Sequence, residues 1–159
     1  DYIIELANHF EDIEFLVVGS GVGFDYLKKA EKPTNIILKP LQAFDVFSKV
    51  LSSSDICIAL LEDEAGSFSV PSKVLSYLCA GKPVLMHGPK ENLSSQILLD
   101  NECGLVSSSN NLETLKENLV MLLDNDFRKK LSINSREYAC KNFCMDKVLS
   151  KFESIIEVL

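Results

Sequence analysis

Short apolar runs alternate with helix-length amphipathic segments along the whole chain, and this alternation restricts the fold more than any other feature. Residues 13–18, 35–38, 56–61, 83–86 and 104–107 read as strands. Residues 2–10, 24–30, 43–51, 72–80 and 93–100 read as the helices between them, followed by three more at 112–123, 126–141 and 146–158. Ile3, Leu6, Ala7 and Phe10 recur at helical spacing, as do Leu112, Leu115, Leu119 and Leu122, so each set lines one face. Pro33 and Gly81 stand where helices stop. Near-continuously apolar strands joined by helical crossovers pack into a parallel sheet covered on both faces. The expectation is an α/β chain with a Rossmann-like, doubly wound parallel sheet, a single domain over residues 1–159.

Composition narrows the ligand classes. The net charge of −7 argues against nucleic acid as a partner, because such proteins present a basic surface. A phosphorylated ligand is still compatible, since backbone amides and one lysine can hold it locally. Cys57, Cys79, Cys103, Cys140 and Cys144 are odd in number and several sit in apolar runs, which reads as free thiols in a reducing compartment. His9 and His87 are the two histidines and neither lies near the cysteines in sequence, so no metal site is expected. No cofactor is implied either. No apolar stretch reaches membrane-spanning length. The start carries neither a signal peptide nor an initiator Met, and we read the chain as truncated at its N-terminus.

Two places have the character of ligand sites. The first follows the strand at 13–18, where Gly19-Ser20-Gly21-Val22-Gly23 leads into a helix. Glycines let backbone amides approach an anion at a helix start. The full dinucleotide fingerprint is absent, because its third glycine would fall on Phe24; a sharp strand-to-helix turn explains the same residues. The second is the polar loop 62–70, which ends in Pro71-Ser72-Lys73 at the start of a helix. Ligands of open α/β sheets bind beyond the carboxyl ends of the strands. Ser72 as N-cap and Lys73 as a mobile cation would grip a diphosphate there, although on these residues alone a capped helix with a solvated lysine is the simpler reading.

Taken in order, the motifs resemble the C-terminal domain of retaining GT-B glycosyltransferases of the family 4, or group 1, type, in particular the branch building bacterial surface polysaccharide. Phe15-Leu16-Val17-Val18-Gly19-Ser20-Gly21, Asn35-Ile36-Ile37-Leu38 and Leu51-Ser52-Ser53-Ser54-Asp55-Ile56 are similar to successive segments of that domain. Pro71-Ser72-Lys73 running to Ala80-Gly81-Lys82-Pro83-Val84 is the strongest match. Cys103-Gly104-Leu105-Val106, Arg128 and Asn134-Ser135-Arg136 complete it. The resemblance implies a sugar donor carrying a nucleoside diphosphate. Its expected contacts are Gly19, Ser20 and Gly21 at the turn, Lys39, Pro40 and Leu41 at the base, Ser72 and Lys73 at the phosphates, and Ser69 and Val70 in the loop before them. Ser76 would meet the ribose. An N-terminal acceptor domain of the same protein is implied as the partner, without which this chain would not turn over, and no catalytic base is legible.

Departures from the family pattern leave rivals standing. The family's two glutamates, eight positions apart, would fall on Phe68 and Ser76 and are absent; Glu62 and Glu64 are nearby substitutes. The resemblance also implies a strand order 3-2-1-4-5-6 whose central first strand is missing here, so that the order differs, another copy supplies the strand, or the gap is closed. The alternatives are a nucleotide-sugar epimerase of the same fold, for which His87 in a loop is the one acid–base candidate, and a degenerate, non-catalytic partner module. The implied location is the cytoplasm, with peripheral attachment at the inner membrane face supplied by another part of the protein. Sugar, nucleotide, acceptor, linkage and oligomeric state are not legible.

Overall fold

The computed structural model describes residues 2–62, 72–108 and 111–156, and the chain divides into two compact units, residues 1–49 and 50–159. In the first, α1 (Tyr2–His9), β1 (Phe15–Val18), α2 (Val22–Lys29) and β2 (Ile36–Lys39) follow one another, and α3 (Phe44–Ser53) carries the chain onward. β1 and β2 are parallel, with Phe15 opposite Ile36 and Val18 opposite Lys39. Leu6, Ala7, Phe15, Phe24, Leu27 and Ile36 are its buried apolar residues. One polar side chain organises the entry to β1. The Asn35 amide donates to the carbonyls of Ala7 (3.1 Å), Phe10 (2.9 Å) and Ile13 (2.9 Å), satisfying the frayed end of α1 and the turn after it.

The second unit holds β3 (Cys57–Leu60), α4 (Ser72–Cys79), β4 (Val84–His87), α5 (Leu93–Asp100), β5 (Gly104–Ser107), α6 (Leu112–Leu123), α7 (Asn125–Asn142) and α8 (Met145–Ile156). Its sheet is parallel in the order β3-β4-β5. Val74 and Leu78 of α4, Leu98 of α5 and Ala139 of α7 pack with Ala59, Val84, Met86, Cys103 and Val106 in one apolar cluster. Side chains alternate along a strand, so Leu85 and His87 turn to the opposite face. They are as deeply buried, and β4 is therefore covered on both sides. The pairings β1-β2 and β3-β4-β5 are those the expected order prescribes on either side of its first strand, and no pairing joins the two sheets among the described residues.

The motif residues of α7 serve this architecture. Gly81, at φ 66°, ends α4 in a Schellman closure: its N–H reaches the Leu78 carbonyl, and the Lys82 N–H reaches that of Tyr77. Ser132 Oγ donates to the Gly81 carbonyl, and Arg136 donates to that of Cys79 at 2.6 Å, placing a cation at the negative end of the helix. α5 closes in the same way, with Glu102 in the left-handed position (φ 46°) and the Cys103 N–H on the Leu98 carbonyl. Asn134 then binds the Glu102 carbonyl and Ser135 that of Cys103. One helix thus reads the carboxyl ends of two others.

Candidate functional site

Those expected ligand residues that the structure describes lie at or just beyond the carboxyl ends of strands, some in each unit. In the first, Gly19 extends the β1-β2 ladder by donating its N–H to the Lys39 carbonyl at 3.1 Å. Gly21 has φ 93° and caps α2 without a side chain. That backbone favours glycine, and it brings the first turn of α2 directly after β1. Gly19, Ser20 and Gly21 therefore form a turn at a helix start, as expected. Lys39 ends β2, Pro40 and Leu41 follow it, and all three are exposed. The Lys39 carbonyl takes the Gly19 amide, and the Pro40 carbonyl takes the Gln42 side chain at 2.6 Å. Each retains a lone pair for a further donor.

In the second unit, the described part of α4 opens at Ser72. The Lys73 ammonium donates to the Leu60 carbonyl at the end of β3, 3.4 Å away. Surrounding protein desolvates that ammonium and lowers its pKa below the ordinary lysine value. Ser76 is exposed, and its hydroxyl points back to the Ser72 carbonyl at 3.4 Å. The carboxyl edge of β3 thus carries a helix start, a fixed cation and a serine one turn along. Ser69, Val70, Phe68 and Glu64 lie outside the described residues.

His87 departs from its expected loop position. It is the last residue of β4, 1% exposed, with Nδ1 2.8 Å from Ser107 Oγ on β5. The register that sets Val84 opposite Gly104 sets His87 opposite Ser107. Its burial and hydrogen bond make it a structural group at the edge. Replacing Ser107 by alanine removes that hydroxyl from a buried imidazole, and a loss of about 1–3 kcal/mol in unfolding free energy is expected. A denaturant midpoint unchanged from wild type would show that the pair carries no stability.

Nucleophilic cysteine chemistry finds no support. Cys57 and Cys103 are buried, and burial raises both thiol pKa values, while Cys79, Cys140 and Cys144 are exposed and all five are free. Tyr77, whose hydroxyl reaches the Ile58 carbonyl, is likewise pushed up to about 12 by burial. Among the described residues no group of three His, Cys, Asp or Glu side chains is placed to hold a metal ion, and no helix is long and apolar enough to cross a membrane.

No family model matches the chain. It is 26% identical over 153 residues to the uncharacterized glycosyltransferase MJ1069 of Methanocaldococcus jannaschii, an alignment covering 94% of this chain and 38% of the relative. Among solved structures it is similar to WaaG, a glycosyltransferase involved in lipopolysaccharide biosynthesis, with a TM-score of 0.68 and 24% identity over 87% of this chain and 38% of that one. TarM matches with a TM-score of 0.74 and 15% identity, over 96% of this chain and 30% of its own. MurG of Acinetobacter baumannii matches with a TM-score of 0.55 and 14% identity, over 83% and 39%. The chain therefore carries the Rossmann-like parallel α/β fold of the GT-B glycosyltransferase structures WaaG, TarM and MurG, over a stretch that makes up less than half of each.

Proposed function

We propose that this chain is the donor-binding part of a retaining glycosyltransferase that moves a sugar from a nucleoside diphosphate to a cell-surface glycan or lipid-linked acceptor. The observation that carries the reading is the Lys73 ammonium, set beside the start of α4 at the carboxyl end of β3, in a chain similar to glycosyltransferases over nearly its whole length. In the transfer, the bond between the anomeric carbon and the diphosphate oxygen breaks and its electron pair leaves with the diphosphate, while an acceptor hydroxyl oxygen bonds to the anomeric carbon and its proton passes to the departing diphosphate. The charge that develops there is met by Lys73 and by the first-turn amides of α4, fixed before the reaction starts. Gly19, Ser20 and Gly21 supply the second amide-rich turn, and Lys39, Pro40 and Leu41 the surface for the base. The acceptor domain belongs to the remainder of the protein, at the inner face of the cytoplasmic membrane.

Titration of the longer protein with a panel of nucleoside diphosphates tests this. Lys73→Ala is expected to weaken the best of them about 10- to 100-fold, the worth of one charge-assisted hydrogen bond to phosphate. Absence of binding by every member of the panel, or an affinity indifferent to Lys73, would overturn the reading. The Ser76 hydroxyl, turned toward its own helix, favours a second reading, a non-catalytic partner module. That reading predicts tight binding to a protein partner together with no nucleotide affinity.

A further inference from the structure

The opposite end of the three-stranded sheet holds a groove of about 330 Å³ lined by Ser54, Asp55, Lys82, Asn125, Arg128 and Lys129, among others. Ser54 and Asp55 precede β3, Lys82 precedes β4, and Asn125 opens α7. The groove thus lies at the amino ends of the strands, away from Lys73 at the carboxyl end of β3. Three cations face it against one carboxylate, in a chain whose net charge is −7.

None of these charges forms an ion pair among the described residues. Among the described residues the ion pairs are Lys28 with Asp25, Lys116 with Glu113 and Lys130 with Glu102, so Asp55 pairs with none of the three groove cations. Two of them are instead held in place by neutral acceptors. Lys82 donates to the Ser52 carbonyl at 2.7 Å. The Arg128 guanidinium donates to the carbonyls of Leu122 (3.0 Å) and Leu123 (3.2 Å) and to Asn125 Oδ1 (2.5 Å). Those bonds fix the direction of each charge without cancelling it. They leave N–H groups to spare on both side chains, since an ammonium carries three and a guanidinium five. The start of the 18-residue α7 is already capped by Asp124, whose carboxylate accepts the Phe127 N–H at 2.7 Å, so the groove's positive charge comes from the three side chains. Cations held around one concavity repel each other, and an anion seated among them removes that cost.

We propose that this groove binds a phosphate-bearing anion, with the Arg128 fork and the Lys82 and Lys129 ammoniums on its oxygens. A guanidinium fork matches the tetrahedral oxygens of phosphate through paired N–H bonds, with ammoniums supplying point charge beside it. Both a free phosphate or diphosphate and the headgroup of an anionic lipid offer this chemistry. The site is independent of the donor reading, because it shares no residue with the carboxyl edge of the sheet.

Pyrophosphate titrated calorimetrically into the chain carrying Lys73→Ala weakens the contribution of the other edge, and the Lys129 variants then report the groove. Saturable binding is expected, and adding Lys129→Glu should weaken it at least about tenfold. Lys129 makes no hydrogen bond or ion pair within the described residues, so the charge reversal is expected to leave the melting temperature unchanged; where it does not, Lys129→Gln replaces it. Co-sedimentation with phosphatidylglycerol vesicles, against phosphatidylcholine vesicles as control, distinguishes the source. Retention on the anionic vesicles alone, displaced by pyrophosphate and lost in Lys129→Glu, identifies a lipid headgroup. Pyrophosphate binding with no vesicle retention identifies a soluble ligand. Binding that Lys129→Glu and Lys129→Gln leave unchanged, or no binding to either probe, overturns the proposal.

Discussion

Gly104→Ala is expected to cost more than about 4 kcal/mol of unfolding free energy, a large share of the about 5–15 kcal/mol that holds an ordinary domain folded. A Cβ at this position would lie 2.1 Å from the Val84 carbonyl oxygen, 2.9 Å from its carbonyl carbon and 3.1 Å from its nitrogen. All three atoms are backbone of β4, the middle strand of the sheet. β4 is also bonded to β3, and its Val84 and Leu85 are fully buried, so it cannot step aside without breaking the ladder or opening the core. A rotamer change offers no relief, because the clash is with main chain. Chemical denaturation followed by circular dichroism measures the effect. An alanine variant within about 1 kcal/mol of wild type would mean that β5 approaches β4 less closely than described.

The second large effect is expected at Asn35. Its amide nitrogen donates to three carbonyls, and that convergence fixes which way the amide is turned. Asn35→Asp sets a carboxylate oxygen against the same three oxygens. Three favourable contacts become repulsive ones at a part-buried position, and a loss of about 3–5 kcal/mol is expected near neutral pH. The sign of the pH dependence follows. The folded state resists ionisation of the new carboxyl, so its folded pKa lies above the unfolded value of about 3.9. The penalty is therefore full above the folded pKa, and it shrinks as pH falls toward the unfolded one. Asn35→Ala, which strands the carbonyls without repelling them, should cost less and show no such recovery. A variant pair with matching pH profiles would refute this account of the contact.

The order and type of elements were open to reading because the two periodicities differ so plainly. Strands such as Phe15–Val18 are apolar throughout, while α6 repeats its leucines at helical spacing. Boundaries moved by a residue or two where a side chain decides. β4 takes in His87 because Ser107 meets it across the ladder, a partnership that depends on the register between strands twenty residues apart. The role of Asn134-Ser135-Arg136 was hidden for the same reason. Their acceptors, at Glu102, Cys103 and Cys79, are 32 to 57 residues away in sequence. Gly104 reads as a weak strand residue until the approach of Val84 shows why only hydrogen fits. At the candidate site, sequence located the helix start at Ser72 and Lys73, whereas the tether from Lys73 to Leu60 required coordinates.

The grip of α7 on the ends of α4 and α5 has a consequence for the order of events in folding. β3, β4 and β5 are complete in sequence by Ser107, yet the helix that fastens their crossovers begins at Asn125. On a ribosome adding about 5–20 residues per second, the sheet emerges seconds or less before its fastener. In that interval the carbonyls of Cys79, Gly81 and Glu102 lack the donors that α7 gives them, and that of Cys103 has the Val84 N–H but not the Ser135 hydroxyl. Locking of the second unit is thus a late, long-range step, and chains stalled before α7 should expose protease-sensitive crossovers that the completed chain conceals.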